Sequence, residues 1–184
     1  MDSGEESYRR FLAGDDDGLV EIVRDYKDGL ILYLNSFVRN VTAAEELAED
    51  VFVRIGVRKP HFSGRSAFRT WLYAIGRNLA LDRLRKQKRE AVPDTDACAD
   101  AAAPELLESG YLREERRLTV HRAMARLKTD YRQVLWLQYF EGFSCRETAA
   151  VLRRSVHSVE TLSYRARQAL KAELRKEGIE DEDL

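Results

Sequence analysis

Cysteine, proline, methionine and histidine are all scarce in this chain of 184 residues, at two, three, two and three copies. Each scarcity excludes something. Cys98 and Cys145 stand far apart with no second pair, so neither a disulfide framework nor a thiolate metal site can be assembled from them. A reducing compartment, the cytoplasm, is expected. His61, His121 and His157 are scattered, no His or Cys pair has ligand spacing, and no glycine loop could cradle a phosphate. Neither metal nor cofactor is expected. No apolar run approaches the roughly 18 residues of a membrane span, and no basic-then-apolar leader follows Met1, so direct membrane insertion is not expected. Asp16 and Asp17 have nothing nearby to raise one pKa, so they read as solvated charge rather than an acid-base pair, and no enzymatic chemistry is expected.

What the chain has is an ordinary apolar fraction of 44% and a segregated charge pattern hidden under a net charge of -1. From His61 to Val92 stand Arg65, Arg69, Arg77, Arg83, Arg85, Lys86, Lys88 and Arg89 against only Asp82 and Glu90. The opening segment and the stretch Asp94 to Glu108 are acidic instead. A polyanion-binding surface flanked by acidic regions is the physical implication; those regions either shield it or stay solvated as tails.

Residues 91–111 combine two prolines with small and acidic residues and lack helical periodicity, so they read as a flexible acidic linker. Twenty such residues span about 25 Å, enough to let flanking units sit apart on one extended ligand. The expected fold is all-α, with two small helical domains, 1–90 and 112–184. In the first, Thr42-Ala43-Ala44-Glu45 has a capping-box pattern, followed by Leu47, Ala48, Val51, Phe52 and Ile55 on one face. A second helix opens near Ser66 and gathers Phe68, Trp71, Leu72, Ile75 and Leu79 on a core arc. Its opposite arc carries Arg69, Tyr73, Gly76, Arg77, Ala80 and Arg83. Guanidinium groups, an aromatic ring and small residues suit a nucleic-acid backbone, and equally describe a solvated charged face.

In the second domain, Val120, Ala123, Met124 and Leu127 mark one helix and Val134 and Leu135 another, ending at Gly142. Ser144-Cys145-Arg146-Glu147 is a second capping box. Ser155 can cap a final helix with Val159, Leu162, Ala166 and Leu170 inward, while His157, Ser158, Glu160, Thr161, Tyr164 and Arg165 present a polar face. Two short helices across the turn Arg153-Arg154-Ser155 match a helix-turn-helix, which reads DNA, or a plain helical hairpin.

The segment FRTWLYAIGRNLALDRLR (Phe68 to Arg85) resembles the signature of bacterial extracytoplasmic function sigma factors, a branch of the sigma-70 family. AAEELAEDVFVRI (Ala43 to Ile55) is similar to that family's polymerase-binding helix, and FEGFSCRETAAVLRRSVHSVETLSYRARQAL (Phe140 to Leu170) to its helix-turn-helix. The resemblance implies a subunit that joins core RNA polymerase and directs it to promoter DNA. It places Glu46, Glu49, Asp50, Phe52 and Val53 on the clamp helices of the largest polymerase subunit. Phe62, Ser63, Gly64, Arg65 and Ser66 fall in a loop that holds a flipped base of the minus-ten element. Trp71, Tyr73, Arg77 and Asn78 align with the strand-opening helix, which also carries Arg69. Trp71 itself lies on the core arc, which favours packing over base contact. His157, Ser158, Glu160, Thr161, Tyr164 and Arg165 would read the minus-thirty-five element. The resemblance further implies inhibition by a separate anti-sigma protein.

The chain departs from the family pattern at Glu49, where glutamine is frequent, and at Arg153, which replaces a turn glycine and demands either another geometry or a positive φ. Glu160 and Leu162 replace common basic residues, and a glutamate there can accept from a cytosine amino group. On the residues alone, two alternatives stay open: an autonomous helix-turn-helix regulator, and a helical adaptor that binds no DNA.

Overall fold

The computed structural model describes residues 3–90 and 111–178, so the expected linker, apart from Tyr111, lies outside the described residues. Among the described residues there are α-helices and one π-helical turn and no strand. None of these helices is long and apolar enough to cross a membrane.

The first unit contains α1 (Ser3–Leu12), α2 (Asp17–Val38), α3 (Val41–Arg58) and α4 (Phe68–Glu90). The acidic opening segment is helix, not a solvated tail. Tyr8 and Phe11, three residues apart on one face of α1, are both buried, and Arg10 gathers the neighbouring carboxylates of Asp15 at 2.6 Å and Glu21 at 2.9 Å. The α1–α2 corner depends on Gly18, where a Cβ would stand 2.2 Å from the Ser7 carbonyl oxygen, so no other residue fits without backbone movement.

Helix α3 is capped two residues before the expected position. The Asn40 side chain accepts from the Ala43 N–H at 2.8 Å, so the helix already includes Thr42 and the capping box expected there does not form. Asparagine is among the best N-caps, and Asn40 comes first along the chain. Helix α4 differs more from expectation. Phe68 and Leu72 are core as expected, but Tyr73, Gly76 and Ala80 of the opposite arc are buried too. A helix apolar on several sides belongs at the centre of a molecule, and α4 packs against α1, α2 and α3 of its own unit and α7 of the next.

The second unit contains α5 (Tyr111–Arg126), α6 (Thr129–Leu135), a π-helical turn (Trp136–Phe140), α7 (Cys145–Leu152) and α8 (Val156–Lys176). Met124, Leu135, Leu152, Val159, Ala166 and Leu174 form its centre. The two units touch, α4 lying on α7 and α2 on α6. One buried side chain ties the second contact: Arg132 of α6 donates to the Ser36 carbonyl of α2 at 2.7 Å, to the Ala125 carbonyl at 3.1 Å, and to the Leu127 carbonyl and the Thr129 hydroxyl. Ser36 and Ala125 lie in the last turns of α2 and α5, where helix dipoles favour a cation, so carbonyls and a hydroxyl among the described residues hold the buried guanidinium.

Candidate nucleic-acid interface

The final two helices are positioned by their caps. The Ser144 hydroxyl accepts from the Glu147 N–H while the Glu147 carboxylate accepts from the Ser144 N–H at 2.8 Å, the reciprocal box that the sequence predicts. Burial opposes the charge on Glu147, yet the Ser144 hydrogen bonds and nearby Arg69 hold its carboxyl below the usual range. The Ser155 side chain accepts from the Ser158 N–H and starts α8. Between them Arg153 takes φ +53°, the left-handed conformation, so the turn keeps the geometry of a glycine without having one.

That strain yields a prediction. The left-handed well costs a non-glycine residue about 1–2 kcal/mol, partly offset because glycine loses about 0.5–1 kcal/mol more conformational entropy on folding. Arg153→Gly is therefore expected to raise stability by about 0.5–1 kcal/mol, read as a higher urea midpoint with unchanged slope.

Ala149 and Val159 are buried where α7 and α8 cross. Among the described residues this leaves one face of α8 uncovered: His157, Glu160, Thr161, Tyr164 and Arg165 are exposed, Ser158 half-buried. His157 and Glu160 approach to 3.8 Å, the Thr161 hydroxyl donates to the His157 carbonyl at 3.1 Å, and Tyr164 is exposed.

The loop before α4 is built on aromatic packing. Phe62 rests against Phe68 and Trp71 at ring distances of 5.6 and 5.3 Å, and the Tyr8 hydroxyl pins the loop base by donating to the Pro60 carbonyl at 2.7 Å. Ser63, Gly64 and Arg65 stand exposed above this base, with Gly64 at φ +69°; Ser66 is half-buried. Trp71 is part of the aromatic cluster and only partly exposed, in keeping with a packing role.

The outer arc of α4 is where structure and expectation part. Arg69 lies over the Phe143 ring at 4.3 Å, donates to the Glu141 and Gly142 carbonyls at 3.1 and 3.3 Å, and lies 3.6 Å from the Glu147 carboxylate. The Tyr73 hydroxyl donates to the Glu141 carboxylate at 2.7 Å, and burial first, then Glu141, pushes its pKa well up. Arg77 donates to the Gln133 side-chain oxygen at 3.0 Å. Asn78 is half-buried. Arg69, Tyr73 and Arg77 thus find their partners on the second unit. Sequence reasoning missed Gln133, Glu141 and Phe143 as their partners; the buried spacing Tyr73-Gly76-Ala80 was the available signal of a second packed stripe.

On α3, Glu46, Glu49, Asp50 and Val53 are exposed on one side, Glu46 joined to Arg83 of α4 at 2.7 Å. Phe52 is the exception. It is only 8% exposed, because it sits on the apolar stripe with Ala48 and Ile55, so it backs that surface rather than forming it.

The sequence families described as Sigma-70 region 2 and Sigma-70, region 4 match residues 22–90 and 117–170. The ECF RNA polymerase sigma factor SigW of Bacillus subtilis is 31% identical over 171 residues, covering 88% of this chain and 91% of the relative. The RNA polymerase sigma-H factor of Pseudomonas aeruginosa is 30% identical over 180 residues, covering 92% and 93%. Among solved structures, CnrH in complex with the cytosolic domain of CnrY is similar with a TM-score of 0.68 at 26% identity, over 95% of this chain and 99% of that one. The sigma factor RpoE, bound to the anti-sigma factor NepR from Bartonella quintana, shares the fold with a TM-score of 0.67 at 22% identity, over 84% and 95%. Two matched regions in family order, relatives aligned over nearly their whole length and a capped helix-turn-helix lead to one assignment: the chain belongs to the extracytoplasmic function sigma factors of the sigma-70 family.

Proposed function

We propose that the first unit docks on core RNA polymerase and opens the minus-ten element, while the second reads the minus-thirty-five element in the major groove. The chain works in the cytoplasm and performs no covalent chemistry of its own. The observation that carries this reading is the exposed face of α8, where His157, Glu160, Thr161, Tyr164 and Arg165 stand together at the start of the helix, uncovered among the described residues. Acidic Glu46, Glu49 and Asp50 with Val53 form the polymerase-docking side of α3, supported from beneath by Phe52. Phe62 to Ser66 hold the extruded base, and Arg69, Tyr73, Arg77 and Asn78 hold the separated strand. Extruding a base costs a few kcal/mol, which a fitted pocket offsets. In the similar solved structures CnrH is in complex with the cytosolic domain of CnrY and RpoE with the anti-sigma factor NepR, and a separate anti-sigma protein is proposed to restrain this chain.

Run-off transcription with core polymerase over a genomic library tests the whole reading: initiation from a defined set of promoters is expected, and none from any template would end it. Arg165→Ala is expected to weaken binding to the selected duplex about tenfold, one base or phosphate contact being worth about 1–3 kcal/mol, with polymerase affinity unchanged. Asn78→Ala is expected to reduce permanganate reactivity of the opened strand with docking intact.

A further inference from the structure

The arc of α4 assigned to the opened strand is covered by the chain's own second unit, and the cover is fitted. Glu141 is its hub. One carboxylate oxygen accepts from the Tyr73 hydroxyl at 2.7 Å, the other from the Trp136 indole N–H at 3.3 Å, and its backbone carbonyl accepts from Arg69. The carboxylate enters a notch over Gly29 of α2, where a Cβ would stand 2.6 Å from the Tyr73 hydroxyl and 3.1 Å from a Glu141 oxygen. Arg69 meets the Glu141 and Gly142 carbonyls and the Glu147 carboxylate, and Arg77 meets Gln133, so oxygen acceptors occupy the places where phosphate and base oxygens would be held. The recognition face of α8 is left open by the same packing.

We infer that the Glu141 loop is a built-in competitor of promoter DNA, which holds the strand-opening face of α4 closed in the free chain until the two units part. The inference rests on the proposed DNA role of Arg69, Tyr73 and Arg77. Closure and strand binding use the same three side chains, so they exclude each other. The duplex-reading face of α8 needs no opening.

Two variants of the full chain test this. Glu141→Lys sets a cation beside Arg69. Gly29→Ala fills the notch without changing charge, in a helix where alanine is the better former, so its effect cannot be assigned to lost helix or added charge. Distance between the units is read by energy transfer from labels at Arg58→Cys and Gln168→Cys in a Cys98→Ser, Cys145→Ser background, both label sites being exposed. Binding is read with a fluorescein-labelled random-sequence 20-nucleotide single strand. Both variants are expected to lower transfer and to bind the strand about tenfold more tightly, a gain removed by adding Arg77→Ala. Unchanged transfer in either variant overturns the latch, and opening without tighter binding overturns the competition. In that second case, promoter opening by holoenzyme carrying Arg77→Ala separates the two readings: if it is impaired, the DNA role stands and only the competition falls, while normal opening removes the DNA role as well.

Discussion

Phe68→Ala is expected to destabilise the chain by about 3–5 kcal/mol, the usual cost of emptying a buried aromatic site. The ring is fully buried and meets Tyr8, Tyr26, Phe62 and Trp71 at centroid distances of 5.4 to 5.7 Å, so no single neighbour can collapse into the space. A domain of this size has about 5–15 kcal/mol of stability in all, which puts the variant near the edge of folding at 37 °C. The effect should also reach function, because Phe62 rests on Phe68 and carries the loop Ser63, Gly64 and Arg65. Urea unfolding measures the stability change. Permanganate footprinting at a temperature where the variant is still folded should show weakened strand opening, while Phe68→Leu, which keeps much of the volume, should lose less of both.

Arg132→Met comes next in size. Methionine matches the length of the arginine stem but cannot donate, so the carbonyls of Ser36, Ala125 and Leu127 lose a charged donor at one stroke. Each buried acceptor left unmet costs about 1–3 kcal/mol, and some will recover water, so about 3–5 kcal/mol is expected in total. Burial, with Arg39 nearby, already pulls the Arg132 pKa below the ordinary guanidinium value, a sign of how little water reaches it. Because Ser36 belongs to the first unit, the loss should appear both as a lower urea midpoint and as a looser junction between units. Equal midpoints for Arg132→Met and the wild type would show that the three carbonyls find other donors.

These two sites differ in how far they could be read from sequence. Phe68 was legible, since its place on an apolar arc follows from 100° per residue. The caps at Ser144 and Ser155 were legible for the same reason, each being a contact closed within three residues. Arg132 was not. Its acceptors lie up to 96 positions away, and a lone arginine in a polar helix carries no mark of burial. Helix α1 was hidden by its acids, although Tyr8 and Phe11 had the spacing of a packed face. Thr42 lost its capping role to Asn40 because two adequate caps stood two residues apart and only the backbone path decided between them. The widest gap concerns Tyr73, Gly76 and Ala80. On one helix taken alone they look like an open face for DNA; in the structure Gly76 lies close to Leu30, Leu34 and Val51 of α2 and α3, and Tyr73 meets Tyr33 of α2 as well as Glu141 and Phe143 of the second unit. Asn78 was singled out by resemblance alone and is half-buried, whereas the polar face of α8 followed from helical periodicity and is exposed.

The chain contains two tryptophans, one in each unit, and their surroundings could hardly differ more. Trp71 sits among Tyr8, Phe62 and Phe68, whereas Trp136 stacks on Phe140 at 4.4 Å with its indole N–H directed at Glu141. Intrinsic emission is thereby divided into two channels, one sensing the loop that follows Phe62 and the other the carboxylate at the junction. Replacing either indole with phenylalanine would leave a single-channel reporter, so the order in which the two regions respond when the isolated chain is unfolded can be timed without attaching a dye.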